Sequence, residues 1–148
     1  MAQNLWEVKR KVGRPPVWAS PEELMQTALE YFQWAEENPL MEAKAMVAGG
    51  EVVIEYIPKP RTLTLWGLCA YADTTTKSWS DYKYKPEFSD IIKKIEGMMT
   101  EQKFAGAAAG LFNANIIARH LGLTDNQKVE HSGQLVARVE RVIVDPSD

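Results

Sequence analysis

QKFAGAAAGLFNANIIARHLGL, residues 102–123, is the stretch on which the reading of this chain turns. Lys103, Phe104, Ala107, Leu111, Ala114, Ile117, Ala118 and Leu121 recur at three- and four-residue steps, the spacing of one helical face. Ala105 to Ala109, with Gly106 and Gly110, leave a nearly bare backbone strip that another backbone can approach closely. Glycine costs about 1 kcal/mol against alanine inside a helix. Two glycines within Gly106–Gly110 therefore mean either that close packing is gained or that the helix breaks there. The stripe reads as an assembly surface, and an intramolecular contact between two helices is the alternative.

Upstream, a helix begins near Pro86 to Ser89 and carries Ile91, Ile92, Ile95, Met98 and Met99 on one broad face. It leads into the opening stretch as a long helical pair or as one helix kinked near Gly106. Before it lie two short helical patterns: Thr64 caps one that runs to about Tyr71 with Leu65, Leu68 and Cys69 inward, and Thr75 or Thr76 caps one that runs to about Tyr84. Asp73-Thr74 makes the turn between them, which predicts a helix-turn-helix. In such a motif the second helix presents its N-terminal residues to the DNA major groove. Thr75, Thr76, Lys77, Ser80 and Lys83 are then the reading residues, with Trp79 and Tyr82 packing or bracing. A purely architectural helical unit is the competing reading, favoured by acidic Asp73 and Asp81.

Nearer the N-terminus, Ser20-Pro21-Glu22-Glu23 starts a helix, with Ser20 as cap, Pro21 at its first position and Glu23 completing a capping box. Leu24, Ala28, Tyr31, Phe32 and Ala35 form its apolar face, and Asn38-Pro39 ends it. Residues 42–57 alternate about Gly49-Gly50 and predict a β-hairpin, either a protruding arm that clasps a neighbour or a simple excursion between helices. Val52, Ile54 and Tyr56 fall on one side, Val53, Glu55 and Ile57 on the other. Residues 4–18 mix Lys9, Arg10, Lys11 and Arg14 with Gly13, Pro15 and Pro16, which favours an extended, mobile basic arm. Gly13-Arg14-Pro15 also matches the core of a minor-groove hook, although a stiff lead-in to the next helix explains it as well. At the other end Leu135 to Val144 alternates as a lone strand. Such a strand must pair with the hairpin or with copies from other subunits, which makes an intersubunit β-barrel a physical expectation.

The chain thus divides into an arm (1–19), a helix-turn-helix-like region with its hairpin (20–85), a helical oligomerisation region (86–123) and a loop with a terminal strand (124–148). The fold class is mainly α with a small β element. With 148 residues the chain suits one domain or two small lobes that lean on neighbours. The formal charge of −3 is uneven: residues 1–14 carry +3 (four basic, one acidic) and 59–85 carry +3 (five basic, two acidic), around −7 in residues 15–58 (one basic, eight acidic). Two basic islands beside an acidic helix are a footprint for phosphates, or merely solvated faces.

Catalytic chemistry finds no footing. His120 and His131 have no metal-ligand spacing, and neither Gly49-Gly50 nor Gly106–Gly110 is followed by the lysine and hydroxyl of a phosphate-binding loop. Arg119-His120 reads as a pair of cations at a helix end, where the helix dipole favours them. Cys69 is the single cysteine, so no disulfide framework or thiolate metal site exists, and its place on an inward face makes it core packing. No apolar run approaches the ~20 residues of a membrane span. The expected protein uses no cofactor or metal and works in a reducing cytosol.

The opening stretch resembles a segment of the small terminase subunits of headful-packaging, short-tailed bacteriophages. The matching words are Gln102-Lys103-Phe104, Gly106-Ala107-Ala108-Ala109, Leu111, Asn113 to Arg119, and Leu121-Gly122-Leu123. Weaker matches at Tyr31-Phe32, Asn38-Pro39-Leu40, Lys44-Ala45 and Gly50-Glu51-Val52 extend it over roughly Trp6 to Leu123. The resemblance implies a homo-oligomeric ring of about nine subunits, without catalytic activity, that recognises the packaging start on concatemeric viral double-stranded DNA. It would recruit and regulate the large terminase subunit, an ATPase and nuclease, in the host bacterial cytoplasm, and stay out of the mature virion. It also assigns the assembly role to Phe104, Ala107, Leu111, Asn113, Asn115 and Ile117. Relatives of this type can carry a basic C-terminal tail for DNA, whereas here the tail ends in Asp145-Pro-Ser-Asp148. DNA contact would then fall on Lys9, Arg10, Lys11, Arg14, Lys59, Arg61, Lys77, Lys83 and Lys85, repeated around a ring so that weak contacts add. A helix-turn-helix transcription regulator working as a dimer, or a structural adaptor that binds only protein, would use the same elements.

Overall fold

The computed structural model describes residues 4–7 and 18–123. Arm residues Lys9, Arg10, Lys11 and Arg14 and the expected C-terminal strand lie outside the described residues. The described chain forms five helices and one two-stranded hairpin: α1 (Pro21–Glu37), β1 (Leu40–Ala48), β2 (Glu51–Lys59), α2 (Leu65–Tyr71), α3 (Thr76–Lys83), α4 (Pro86–Ala108) and α5 (Ala114–Leu121), preceded by a short 3-10 turn at Leu5–Glu7.

α1, α2, α3 and α5 each start where a side chain satisfies an orphan amide of the first turn, whereas α4 starts at Pro86 without a side-chain cap. Ser20 accepts from the Glu23 amide at 3.3 Å, Thr64 from Gly67 at 3.0 Å and Thr75 from Ser78 at 3.2 Å. Glu23 reaches back at 2.9 Å to the amide of Ala19, one residue earlier than a standard capping box. Asn38 closes α1, its backbone and side-chain nitrogens both donating to the Trp34 carbonyl at 2.9 Å.

The core sits where α1, α2, α3 and α4 converge. Leu24, Ala28, Tyr31 and Ala35 of α1 meet Leu68 and Cys69 of α2, Trp79 and Tyr82 of α3, and Phe88, Ile92, Ile95 and Met99 of α4. Trp18 is part of this core, so the expected arm is anchored at its end: its ring meets Trp79 edge-on at 6.1 Å and Tyr82 at 5.1 Å, and its indole N–H donates to Thr27 at 3.1 Å. Leu5 packs against the same cluster. Of the face expected on α4, Ile92, Ile95 and Met99 are buried, Ile91 is half-buried and Met98 is exposed.

Of the two expectations, a helical pair or one helix kinked near Gly106, the structure shows the pair. α4 runs without interruption through Gly106 to Ala108, and the chain reverses at Ala109–Phe112 with Gly110 at φ 74°. The amides of Leu111 and Phe112 both donate to the Gly106 carbonyl, at 2.9 and 3.2 Å, and the Phe112 ring lies where a Cβ on residue 106 would be. Asn113 then caps α5, its Oδ1 accepting from Asn115 and Ile116 at 3.1 Å each. The helical pair is unequal, 23 residues against 8, and the apolar stripe is split by a corner in which Leu111 lies exposed outside either helix. An amide cap at Asn113 and a left-handed glycine at 110 together outweigh the helical periodicity.

The hairpin pairs Leu40 with Lys59 through Ala48 with Glu51 in unbroken antiparallel register, two residues longer at each end than expected. Gly49 and Gly50, at φ 63° and 85°, make the two-residue turn that such a ribbon requires. Every residue in both strands except half-buried Ile57 is exposed, so the ribbon stands clear of the helices.

Candidate nucleic-acid interface and assembly surface

α2, the turn after it and α3 follow the boundaries expected from the caps. Asp73 sits at φ 53°, a left-handed position that Asp tolerates, and Thr74 N donates to the Cys69 carbonyl at 2.9 Å. Trp79 and Tyr82 are buried and hold α3 against α4 and Trp18. Thr75, Thr76, Lys77 and Ser80 consequently face solvent together at the N-terminal end of α3. That end carries the positive pole of the helix and free backbone donors, which suit phosphate oxygens. Thr75 is also the cap, its hydroxyl 3.3 Å from that of Ser78, so backbone order and the exposed surface share one residue.

The other basic candidates divide by what they touch. Lys83 binds the Glu96 carboxylate at 2.9 and 3.2 Å, and the indole N–H of Trp79 donates to the same Glu96 Oε1 at 3.0 Å. Lys85 sits 4.4 Å over the Tyr82 ring. Lys59 pairs with Glu42 across the base of the ribbon at 3.2 Å. Arg61 lies 4.9 Å over the Trp34 ring and donates to the Asn38 carbonyl, which fixes the chain where it leaves β2. Lys77 alone among these five has neither an ion pair nor an aromatic ring beside it among the described residues. Surface ion pairs are worth only about 0–1 kcal/mol, so Lys59 and Lys83 can be drawn to a phosphate at small cost. Lys93, exposed one helical turn before Glu96, extends this basic side and was not singled out from the sequence, where it lies in a helix read as an assembly element.

At the other end of α4, α5 folds back along its last turns. Phe104, Ala107 and Ala108 of α4 and Ala114, Ile117 and Ala118 of α5, closed by Leu123, line an open groove whose walls are almost wholly apolar. Ile117 is buried in it, whereas Phe104 and Leu123 on its walls are more than half exposed, as are Leu111 and Ile116 nearby in the chain. Of the residues expected in assembly, Phe104, Ala107 and Ile117 meet at this groove, Leu111 stands at the corner, Asn115 is exposed and Asn113 is engaged as the α5 cap. Lys103, also between these two helices, is buried with its Nζ 3.1 Å from His120 Nε2 of α5, and His120 in turn lies 5.6 Å from the Trp66 ring. Burial lowers the Lys103 pKa. Burial also pushes the Cys69 thiol up to about 11, as an unreactive core residue should be.

Among the described residues no three His, Cys, Asp or Glu side chains are placed to hold a metal ion, and no helix is long and apolar enough to cross a membrane.

The profile of a protein family described as DNA-packaging protein gp3 matches residues 13–129, a span that includes α1 to α5 and both described strands. The terminase small subunit of Salmonella phage P22 is 45% identical over 127 residues, covering 86% of this chain and 78% of that one.

Proposed function

The chain belongs to the DNA-packaging protein gp3 family of small terminase subunits, and from that premise we propose that it is the ring-forming, non-catalytic component that marks viral DNA for packaging. The N-terminal turn of α3 is the reading surface. Thr75, Thr76, Lys77 and Ser80 approach base edges and phosphates as the second helix of a helix-turn-helix, while Lys59, Arg61, Lys83 and Lys85 and the arm residues Lys9, Arg10, Lys11 and Arg14 contact the backbone. The observation that carries this reading is the common exposure of those four α3 residues on a helix whose own aromatic side chains are all spent on the core. Single contacts of this kind are weak, and repetition around a ring multiplies them.

The apolar groove between α4 and α5 supports self-association, because a monomer would leave it and its exposed rim in water. In this reading about nine copies close a ring through Phe104, Ala107 and Ile117, and their C-terminal strands complete a shared barrel. The large terminase subunit docks on that ring and supplies the ATPase and nuclease activities, in the host bacterial cytoplasm and apart from the mature virion.

Light scattering on the purified protein, with and without a duplex carrying the packaging sequence, tests both halves. A mass of roughly eight to eleven chains that rises with duplex supports the ring. A dimer that binds a paired half-site would replace this reading with a transcription regulator.

A further inference from the structure

The ribbon of β1 and β2 is chemically two-faced. Cross-strand partners lie on the same face of an antiparallel pair. The pairs Met41 with Pro58, Ala43 with Tyr56, Ala45 with Ile54 and Val47 with Val52 therefore make one face without a single charge or amide. All five charges, Glu42, Lys44, Glu51, Glu55 and Lys59, fall on the other. Alternation of this kind normally places the uncharged face on a core. Here nothing among the described residues covers it: Val47 is 77% exposed, Val52 72% and Tyr56 64%. An isolated two-stranded ribbon is marginal in water, so this face needs a partner to persist.

We propose that the uncharged face of the ribbon packs into the α4–α5 groove of a neighbouring copy of this chain. The proposal rests on the ring reading above and adds where one subunit grips the next. Four observations select a second copy. The chain carries both halves of the contact, a narrow apolar ridge and an apolar groove with almost no polar lining, and within one chain the two do not meet. Ridge and groove are different surfaces, so pairing them is heterologous, the arrangement that closes rings. The ribbon is also about 30 Å long at ~3.3 Å per residue, and a helical body of this size is roughly 30 Å across. Its tip thus reaches the next subunit. Finally, the uncharged face has an outline of roughly 300 Å² for two strands ~4.8 Å apart, below the about 800 Å² that each partner in a stable complex buries. A foreign protein held only there would bind weakly, whereas a neighbour already held in a ring adds this contact to others.

Ile54→Lys places a charge on the uncharged face, and Glu55→Lys is its control on the charged face. Ile54 and Glu55 are both exposed on the ribbon, so far-ultraviolet circular dichroism of both variants should match the native helical content. Val47→Cys and Ala114→Cys proteins, prepared separately and mixed under oxidising conditions, test the contact directly, since Cys69 is buried. The expected results are native-like mass for Glu55→Lys, a fall to smaller species for Ile54→Lys, and a reducible band at twice the 16.7 kDa chain mass only when both cysteine proteins are present. A native ring with no mixed band and an unchanged Ile54→Lys mass overturns the proposal and leaves the ring standing. A native monomer overturns both.

Discussion

Glu96 on α4 holds Lys83 of α3 at 2.9 Å while its Oε1 accepts the buried Trp79 indole N–H at 3.0 Å. One carboxylate thus fastens the candidate reading helix and neutralises a cation on its flank. The two roles separate chemically. Glu96→Gln keeps an acceptor for Trp79 and removes the charge. It should cost less than 1 kcal/mol in urea unfolding and tighten DNA binding, with a steeper salt dependence as Lys83 is released to phosphate. Glu96→Ala should cost about 1–3 kcal/mol by orphaning the indole. Equal destabilisation by both substitutions would show that the indole bond contributes nothing.

Lys77 stands exposed on the first turn of α3 with no ion pair among the described residues. Lys77→Ala should leave unfolding within about 0.5 kcal/mol of the native protein. The slope of log binding constant against log salt should fall by about 0.9 for each phosphate that the lysine no longer neutralises. Fluorescence anisotropy on a labelled duplex reads both affinity and slope. An unchanged slope would remove α3 from the DNA interface.

Gly106 is the point at which the Phe112 ring crosses the backbone of α4. Gly106→Ala should push that ring out of the corner and cost about 1–3 kcal/mol by overpacking, with loss of assembled mass. Adding Phe112→Ala removes the clash, so the double variant should lose less than the two single effects combined. Additive losses would mean that the ring does not determine the corner.

Lys103 gives a pH dependence with a defined sign. Burial lowers its pKa below the ordinary 10.5, so the folded state releases this proton before the unfolded chain does. Its destabilising effect is complete below the lowered value and fades as pH rises from there toward 10.5. Cys69 acts oppositely, since its raised pKa makes stability fall between pH 9 and about 11. Comparison with Lys103→Met isolates the lysine: at fixed protein concentration the variant should be more stable by about 1 kcal/mol at pH 7, with the gap narrowing toward pH 10. A constant gap across that range would place the lysine charge in water.

Much of this architecture was legible because helix starts are local chemistry. Ser20, Thr64 and Thr75 each bond an amide three residues ahead, and Gly49-Gly50 supplies the positive φ of the turn, so short windows of sequence contain the whole cause. The inward placing of Trp79 and Tyr82 followed from helical spacing in the same way. Residues 109–113 left a helical pair and a kinked helix both open, because helical periodicity runs straight through them; the decision for a corner came from Phe112 packing on Gly106 together with the Asn113 cap. The basic candidates were equally mixed. Sequence counts five cations in residues 59–85, but Glu96, Glu42, Tyr82 and Trp34, from four different elements, determine which of them are engaged.

By itself, then, the sequence determined the caps and spans of α1, α2 and α3, the two-faced alternation of the ribbon and, through the words of residues 102–123, the family. Only the tertiary structure decided that α4 and α5 fold into a groove, that Lys103 is buried, that α3 offers four polar residues together, and that the ribbon stands uncovered. The physical reason is range. Capping and turn energies act over three or four residues, whereas burial depends on which distant faces meet, and a periodic pattern states that a face is apolar without naming what lies against it.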